Sequence, residues 1–345
     1  MNNIHGGDIY RNQVTIDFSI NINPLGVPDV IVSALREAVN SCNQYPDLSA
    51  WQLKQAVSKM LNVPQEYLLF GNGASELFMA IVHGILPQKT VIAVPSFYGY
   101  EYAAKATGGE IIYYKTTKEH NFIIKEDFLS VLTKDVDLLF LANPNNPTGN
   151  LMSREYLKSL LHHCQNQEIY VVLDECFIEF CDEGSSIIEE IEQYENLILV
   201  RAFTKIFSIP GVRLGYLVCS NSLLCQKISR QLPEWNLSCF AQAAGCACAS
   251  QTAFMKRTAD YVRKERSFLE TGLKQFGIRT YPGKANFLLL YSDAPLYELL
   301  LERGILIRDC SNFRGLGKGF YRTAVKTRKE NEILINTIGE LPELH

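Results

Sequence analysis

Lys205 and Arg213 stand eight residues apart in VRAFTKIFSIPGVRLGY (Val200–Tyr216), just behind the apolar run Leu197–Val200. Lysine prefers solvent, and burying its ammonium is costly unless it is paired or loses its proton. Chemistry gives a reason to place one there. Partial desolvation lowers an amine's pKa and makes it a competent nucleophile toward a carbonyl. The plain alternative for an isolated Phe-Thr-Lys is a surface lysine at a strand end.

Three other stretches share this placement behind an apolar run. GNGASE (Gly71–Glu76) is a glycine-rich turn into a helix. Free backbone N–H groups and the helix dipole make an anion site there, to which Ser75 adds a hydroxyl, though a structural turn has the same composition. NPNNPTG (Asn143–Gly149) has two Asn-Pro steps, a rigid turn from which Asn146 reaches into a cleft. Asp174 closes the run Tyr170–Asp174. A carboxylate there is costly without a cationic partner, and a protonated pyridine nitrogen is one such partner. G-x-G-x-x-G is absent, so nicotinamide binding lacks its main support. RGLGKG (Arg314–Gly319) has neither Walker A spacing nor a following Ser or Thr, and reads as a mobile loop.

The elements that must hold these residues alternate. Pro28 opens a helix to about Val39, Tyr45 sits in a loop (residues 43–47), and a helix runs from about Ser49 to Leu61. Strands are expected at Tyr67–Gly71, Thr90–Val94, Ile111–Tyr114, Leu138–Ala142, Tyr170–Asp174 and Leu197–Val200. Helices fall between them, including one near Lys125–Leu132 and one at Arg154–Cys164. Buried strands alternating with helices give an α/β fold with a mainly parallel sheet covered on both faces. Ligands bind such sheets beyond the carboxyl ends of the strands, where Asn72, Asn146, Asp174 and Lys205 fall. Helices at Ser220–Gln231, Phe240–Ser250 and Ala253–Phe276 follow, then strands at Asn286–Tyr291, Ile305–Asp309 and Phe320–Val325 and a closing helix from about Lys329 to Gly339. These read as a smaller α+β C-terminal domain. The expected division is an N-terminal arm and helix (1–44) packing near the small domain, a large domain (45–235) and the small domain (236–345).

At 345 residues, 47% hydrophobic and 20% charged, the chain has room for a sizeable core. A net charge of −4 gives no reason to expect nucleic acid or an anionic membrane as partner. No apolar run approaches the roughly 20 residues of a membrane span, and no signal peptide is evident, so a cytoplasmic location is the expectation. The ten cysteines form no C-x-x-C and read as reduced, buried small hydrophobes; no metal site is expected.

Taken in order, GNGASE, NPNNPTG, LDECFIEF, FTK and PGVRLGY closely resemble the fold-type I pyridoxal-phosphate aminotransferase family over nearly the whole chain. The resemblance implies pyridoxal 5'-phosphate as cofactor, carried by Lys205, which later shuttles a proton. It implies Asp174 on the pyridine nitrogen, Asn146 on the phenolic oxygen and Phe97 stacked on the ring. The cofactor phosphate would rest on Ala74, Ser75, Thr204 and Arg213. Tyr45 would reach the phosphate of a neighbouring subunit, implying a homodimer with shared sites, and Arg322 would clamp a substrate α-carboxylate.

Two departures stand out. Ala202 replaces the usual Ser or Thr three residues before the lysine, and Phe177 replaces the tyrosine that most aminotransferases have. With HGGDIY, DFSININPLG and ILIRDCSNFRGLG, the latter points to the threonine-phosphate decarboxylase branch, relatives of the histidinol-phosphate aminotransferases. That resemblance implies L-threonine O-3-phosphate as substrate, its phosphate held by His5, Asn21 and Arg308. Transamination of histidinol phosphate, decarboxylation of L-serine O-phosphate and a non-catalytic regulator are the alternatives. A terminal histidine and a surface arginine are the plain readings of His5 and Arg308.

Overall fold

The computed structural model describes residues 5–344. In chain order, β1 (Ile16–Asp17), α1 (Asp29–Ala38) and α2 (Trp51–Leu61) lead into an alternating series. It comprises β2 (Leu68–Gly71), α3 (Ala74–Ile85), β3 (Lys89–Val94), α4 (Tyr98–Lys105), β4 (Glu110–Lys115) and β5 (Leu138–Ala142). It continues through α5 (Arg154–Asn166), β6 (Tyr170–Asp174), β7 (Leu197–Ala202), the short α6 (Phe203–Ile206) and β8 (Gly215–Val218). Then come α7 (Ser222–Ser229), α8 (Cys239–Ala249) and α9 (Thr252–Lys274). The C-terminal part holds β9 (Arg279–Thr280), β10 (Phe287–Tyr291), α10 (Leu296–Leu301), β11 (Ile305–Leu306), β12 (Arg308–Asp309), β13 (Phe320–Ala324) and α11 (Arg328–Gly339).

Seven strands form one sheet in the order β2-β8-β7-β6-β5-β3-β4. Only β8 runs against its neighbours; the other pairings are parallel. The pleat explains the apolar runs. Leu139, Val171, Leu173 and Leu199 pack into one buried cluster, while Phe140, Val172, Ile198 and Val200 pack into the cluster on the other face. A strand buried on both sides has no place for alternation, so its sequence is continuously hydrophobic. The C-terminal ends of β3, β5, β6 and β7 lie side by side at Val94, Ala142, Asp174 and Ala202, and all four residues line one cavity.

A second, antiparallel sheet has the order β12-β13-β10-β9. Its edge corrects one expectation. Ile305–Asp309 is not one strand: Ile305 and Leu306 pair with β1, whereas Arg308 and Asp309 pair with β13. The chain changes partners at Ile307, and this pins the N-terminal arm against the second sheet. Phe18 continues the tie, donating its N–H to Leu306 and accepting from Ala324 N–H. The segment near Lys125–Leu132 is also not an α-helix but a 3-10 turn at Glu126–Val131. Six residues anchored by one buried side chain, Phe128, are too few to sustain an α-helical nucleus. α8 packs on α1 and α2. Gly245 permits the close approach, since a Cβ there would lie 2.5 Å from Leu53 Cδ1. Among the described residues no helix is long and apolar enough to cross a membrane.

Candidate active site

The cavity beyond the strand ends has a volume of about 740 Å³ and is lined by residues from both sheets and the N-terminal arm. Lys205 lies in α6, one turn after β7 ends at Ala202. The arm secures this turn: Asn23 donates its N–H to Lys205 O at 3.0 Å and its Nδ2–H to Ile206 O at 2.7 Å. Burial lowers the Lys205 amine below the ordinary lysine value, and the charges of Arg322 and Arg213 lower it further. Cys176 and Asp174 oppose that shift without reversing it. The shift favours the neutral amine, the form that attacks a carbonyl.

Asp174 is the last residue of β6 and is buried. Burial raises its carboxyl pKa, against stabilising hydrogen bonds from Cys176 and Tyr100. Cys176 N–H reaches Oδ1 at 2.8 Å and Tyr100 O–H reaches Oδ2 at 2.5 Å. Each oxygen keeps acceptor capacity, in a carboxylate that lines the cavity. A cation presented from the cavity would favour its charged form.

At the turn from β2 into α3, Gly73 has φ +80°, and a Cβ there would meet Arg213 Nη2 at 2.3 Å. Gly215 is equally constrained, since its Cβ would stand 2.7 Å from Ala74 N. Glycine is therefore required on both sides of the first residues of α3. Arg213 donates to Pro210 O at 3.2 Å and lies alongside Ala74, Ser75 and Thr204 in the cavity lining. Helix N-terminus, hydroxyls and guanidinium together suit a phosphate dianion. Phe97 walls the cavity, its ring edge-on to Tyr100 at 5.7 Å. An aromatic wall, a buried carboxylate, a lowered-pKa amine and an anion nest fit a phosphorylated pyridine aldehyde.

The second sheet supplies a different end. Arg308 and Arg322 are direct cross-strand partners on β12 and β13, both buried and both lining the cavity. Like charges directly opposite one another are unfavourable without an anion between or beside them. Burial lowers the Arg322 guanidinium to about 10, and Arg308 adds to the effect. Arg322 donates to Asn146 Oδ1 and, at 2.9 Å, to Ser19 O; the Asn21 amide, turned so that its oxygen faces the guanidinium, accepts from Nη1 and Nε at 3.3 Å. Arg308 donates to Asn312 Oδ1 at 2.9 Å and lies over the Phe313 ring. His5 stands beside Phe97, ring centroids 5.9 Å apart; partial burial lowers its pKa, as do the charges of Arg308, Arg322 and Lys205.

The cavity thus gathers Lys205, Ala74, Ser75, Phe97, Asn146, Asp174, Thr204, Arg213, His5, Asn21, Arg308 and Arg322. Tyr45 lies outside its lining, exposed, with its ring 5.0 Å from that of Trp235. Asn72 is exposed and is not in the lining either; its N–H is taken by Glu76. Sequence reasoning missed Tyr100, although PSFYGY places it one helical turn after Phe97. It also missed Asn312, Phe313 and Arg314, because the loop was read only for phosphate-loop spacing. Arg314, at the head of that loop, is held to the large domain by Glu101 and Tyr113.

Residues 13–338 match the family Aminotransferase class I and II, and the chain belongs to that family. It is 35% identical to the threonine-phosphate decarboxylase of Salmonella typhimurium, covering 97% of this chain and 95% of that one. The crystal structure of the histidinol-phosphate aminotransferase from Clostridium acetobutylicum superposes with a TM-score of 0.88 at 34% identity, covering 94% of this chain and 98% of the other. The L-threonine-O-3-phosphate decarboxylase from Porphyromonas gingivalis superposes with a TM-score of 0.83 at 26% identity, covering 94% and 98%. The fold is that of the fold-type I pyridoxal-phosphate enzymes.

Proposed function

We propose that this member of the aminotransferase class I and II family decarboxylates L-threonine O-3-phosphate to (R)-1-amino-2-propanol O-2-phosphate, in cobalamin biosynthesis. The cofactor is pyridoxal 5'-phosphate, which when bound supplies an electron sink for the pair released at the substrate Cα. The observation that carries the substrate reading is the opposed pair Arg308 and Arg322 in one cavity wall. A doubly anionic amino acid places one anionic group on each guanidinium, whereas histidinol phosphate would have to engage both with its phosphate alone.

In this reading Arg322, oriented by Asn21, Asn146 and Ser19, clamps the α-carboxylate, and Arg308 with His5 and Asn21 takes the phosphate. Holding both ends leaves Cα one orientation in the cavity, and that orientation decides which of its bonds breaks. The carboxylate leaves as CO2, its electron pair stays with Cα, and Lys205 Nζ delivers the proton that replaces it. With the cofactor bound, Asp174 would keep a proton on the pyridine nitrogen, Phe97 would cover the ring, Ala74, Ser75, Thr204 and Arg213 would hold the cofactor phosphate, and Asn146 would serve the phenolic oxygen. Tyr45, exposed beside Trp235, serves a second copy of the chain in a homodimer.

The test is CO2 release from L-threonine O-3-phosphate by the cofactor-loaded protein with no keto acid present. Sustained turnover that is lost in Lys205→Ala supports the reading. Absence of CO2, with conversion of the cofactor to its amine form by histidinol phosphate, would replace it with an aminotransferase.

A further inference from the structure

The glycine-rich segment Arg314–Gly319 lies in the excursion between β12 and β13, whose base is closed by Cys310 N–H to Phe320 O at 2.9 Å. From there it reaches across to the large sheet. Arg314 Nε and Nη2 donate to the two carboxylate oxygens of Glu101 in α4, at 3.2 and 3.0 Å. The same guanidinium lies 4.0 Å above the ring of Tyr113 in β4. Lys105 also reaches Glu101, at 2.6 Å. Burial alone would raise the Glu101 carboxyl, but the hydrogen bonds from Arg314 and Lys105 outweigh it and hold it below the usual range. A bidentate pair with a stacked guanidinium is a stronger tether than a single surface ion pair.

What this tether holds is specific. The residues just before Arg314 are Asn312 and Phe313, which touch the Arg308 guanidinium from one side. Gly315, at φ +89°, passes the end of β3, where a Cβ would lie 3.5 Å from Pro95 N. A loop with three glycines loses much entropy on ordering, so it needs a fixed point to hold Phe313 in place.

We propose that Glu101 and Arg314 form a latch across the cavity mouth that positions Arg308 for the substrate's phosphate. Arg314 is a positioning residue, engaged by Glu101 rather than by substrate. The identity of the anion rests on the function proposed above; the latch itself concerns the affinity of the Arg308 site for any phosphate. Glu101→Gln keeps the shape of the acid and removes its charge, and Arg314→Lys keeps the charge and removes the fork.

With cofactor-loaded protein, inorganic phosphate is titrated calorimetrically, and KM and kcat are measured for L-threonine O-3-phosphate. Each single variant is expected to weaken phosphate binding and raise KM roughly tenfold, with kcat within about twofold. The double variant should be no worse than either single one, because the two residues act through one contact. Amide exchange over residues 311–319 should quicken in all three more than in the strands of the two sheets. Tighter phosphate binding in Glu101→Gln would overturn the latch, showing that Glu101 holds Arg314 back from binding the anion itself. Unchanged phosphate affinity in both single variants, or no phosphate binding by the parent protein, would also overturn it. A parent protein that binds phosphate but releases no CO2 defeats the decarboxylase reading alone.

Discussion

The hydroxyl of Tyr100 donates a 2.5 Å hydrogen bond to Oδ2 of Asp174, and both side chains are buried in the cavity lining. The tyrosine is held by packing, stacked on Phe140 at 5.3 Å and edge-on to Phe78 at 5.2 Å. Its proton therefore has one direction to point. Burial raises Asp174, and the bonds from Cys176 and Tyr100 are what restrain the rise.

Tyr100→Phe removes one of those restraints without changing the shape of the packing. A hydrogen bond to a charged group contributes about 1.5–3 kcal/mol, so cofactor affinity or kcat should fall roughly 10- to 100-fold. The Asp174 carboxyl should also titrate higher in the cofactor-free protein. Equilibrium dialysis of the cofactor and steady-state rates check the first, and carboxyl carbon chemical shifts against pH check the second.

Lys205 should react as a neutral amine at a lower pH than an ordinary lysine, near 10.4. Reductive methylation of the cofactor-free protein, read at the Lys205 peptide by mass spectrometry, should show its inflection below that value. Arg213→Gln removes one of the cations that lower it and should move the inflection up. Because the folded-state pKa is depressed, the unfolded chain binds a proton that the folded one lacks between the two values. Stability should thus rise with pH across that interval. An inflection at or above the free lysine value would contradict the desolvated amine.

Glu179 offers the opposite sign. Burial pushes its carboxyl up to about 7, against the pull of Arg201, and Oε2 is buried without a hydrogen-bond partner. Between its unfolded pKa and that value the folded chain holds the extra proton, so stability falls as pH rises through the window and stays reduced above it. Glu179→Gln should gain stability at pH 8 by at most about 3 kcal/mol. It should gain nothing at about pH 3, where both states are protonated. Thermal melts at the two pH values give the comparison; equal gains at both would remove the carboxyl from the explanation.

Tyr45 tests the shared-site homodimer. Two chains of 39.0 kDa should sediment together. A Tyr45→Ala chain mixed with a Lys205→Ala chain should regain activity, since the mixed dimer holds one site with both native residues. Random pairing gives about a quarter of the parent activity. Two inactive chains that stay inactive when mixed, while still forming dimers, would place Tyr45 outside the catalytic sites.

Motif order and apolar runs were sufficient for the parallel strands and for bringing Asn146, Asp174 and Lys205 to one cavity beyond them, but not for Asn72, which lies outside its lining. These are local consequences of chain chemistry: a strand buried on both faces must be continuously apolar, and a glycine turn into a helix exposes N–H groups wherever it occurs. The pairing of Arg308 with Arg322 was not legible in the same way. It depends on register between β12 and β13 and on the chain changing sheets at Ile307, which no local pattern specifies. Nor was the partnership of Tyr100 with Asp174, 74 residues apart, or that of Arg314 with Glu101, 213 residues apart. Such contacts arise only when separate elements are packed together. The candidate site residues were therefore readable one by one, while the packing of the two sheets decided which of them face one another.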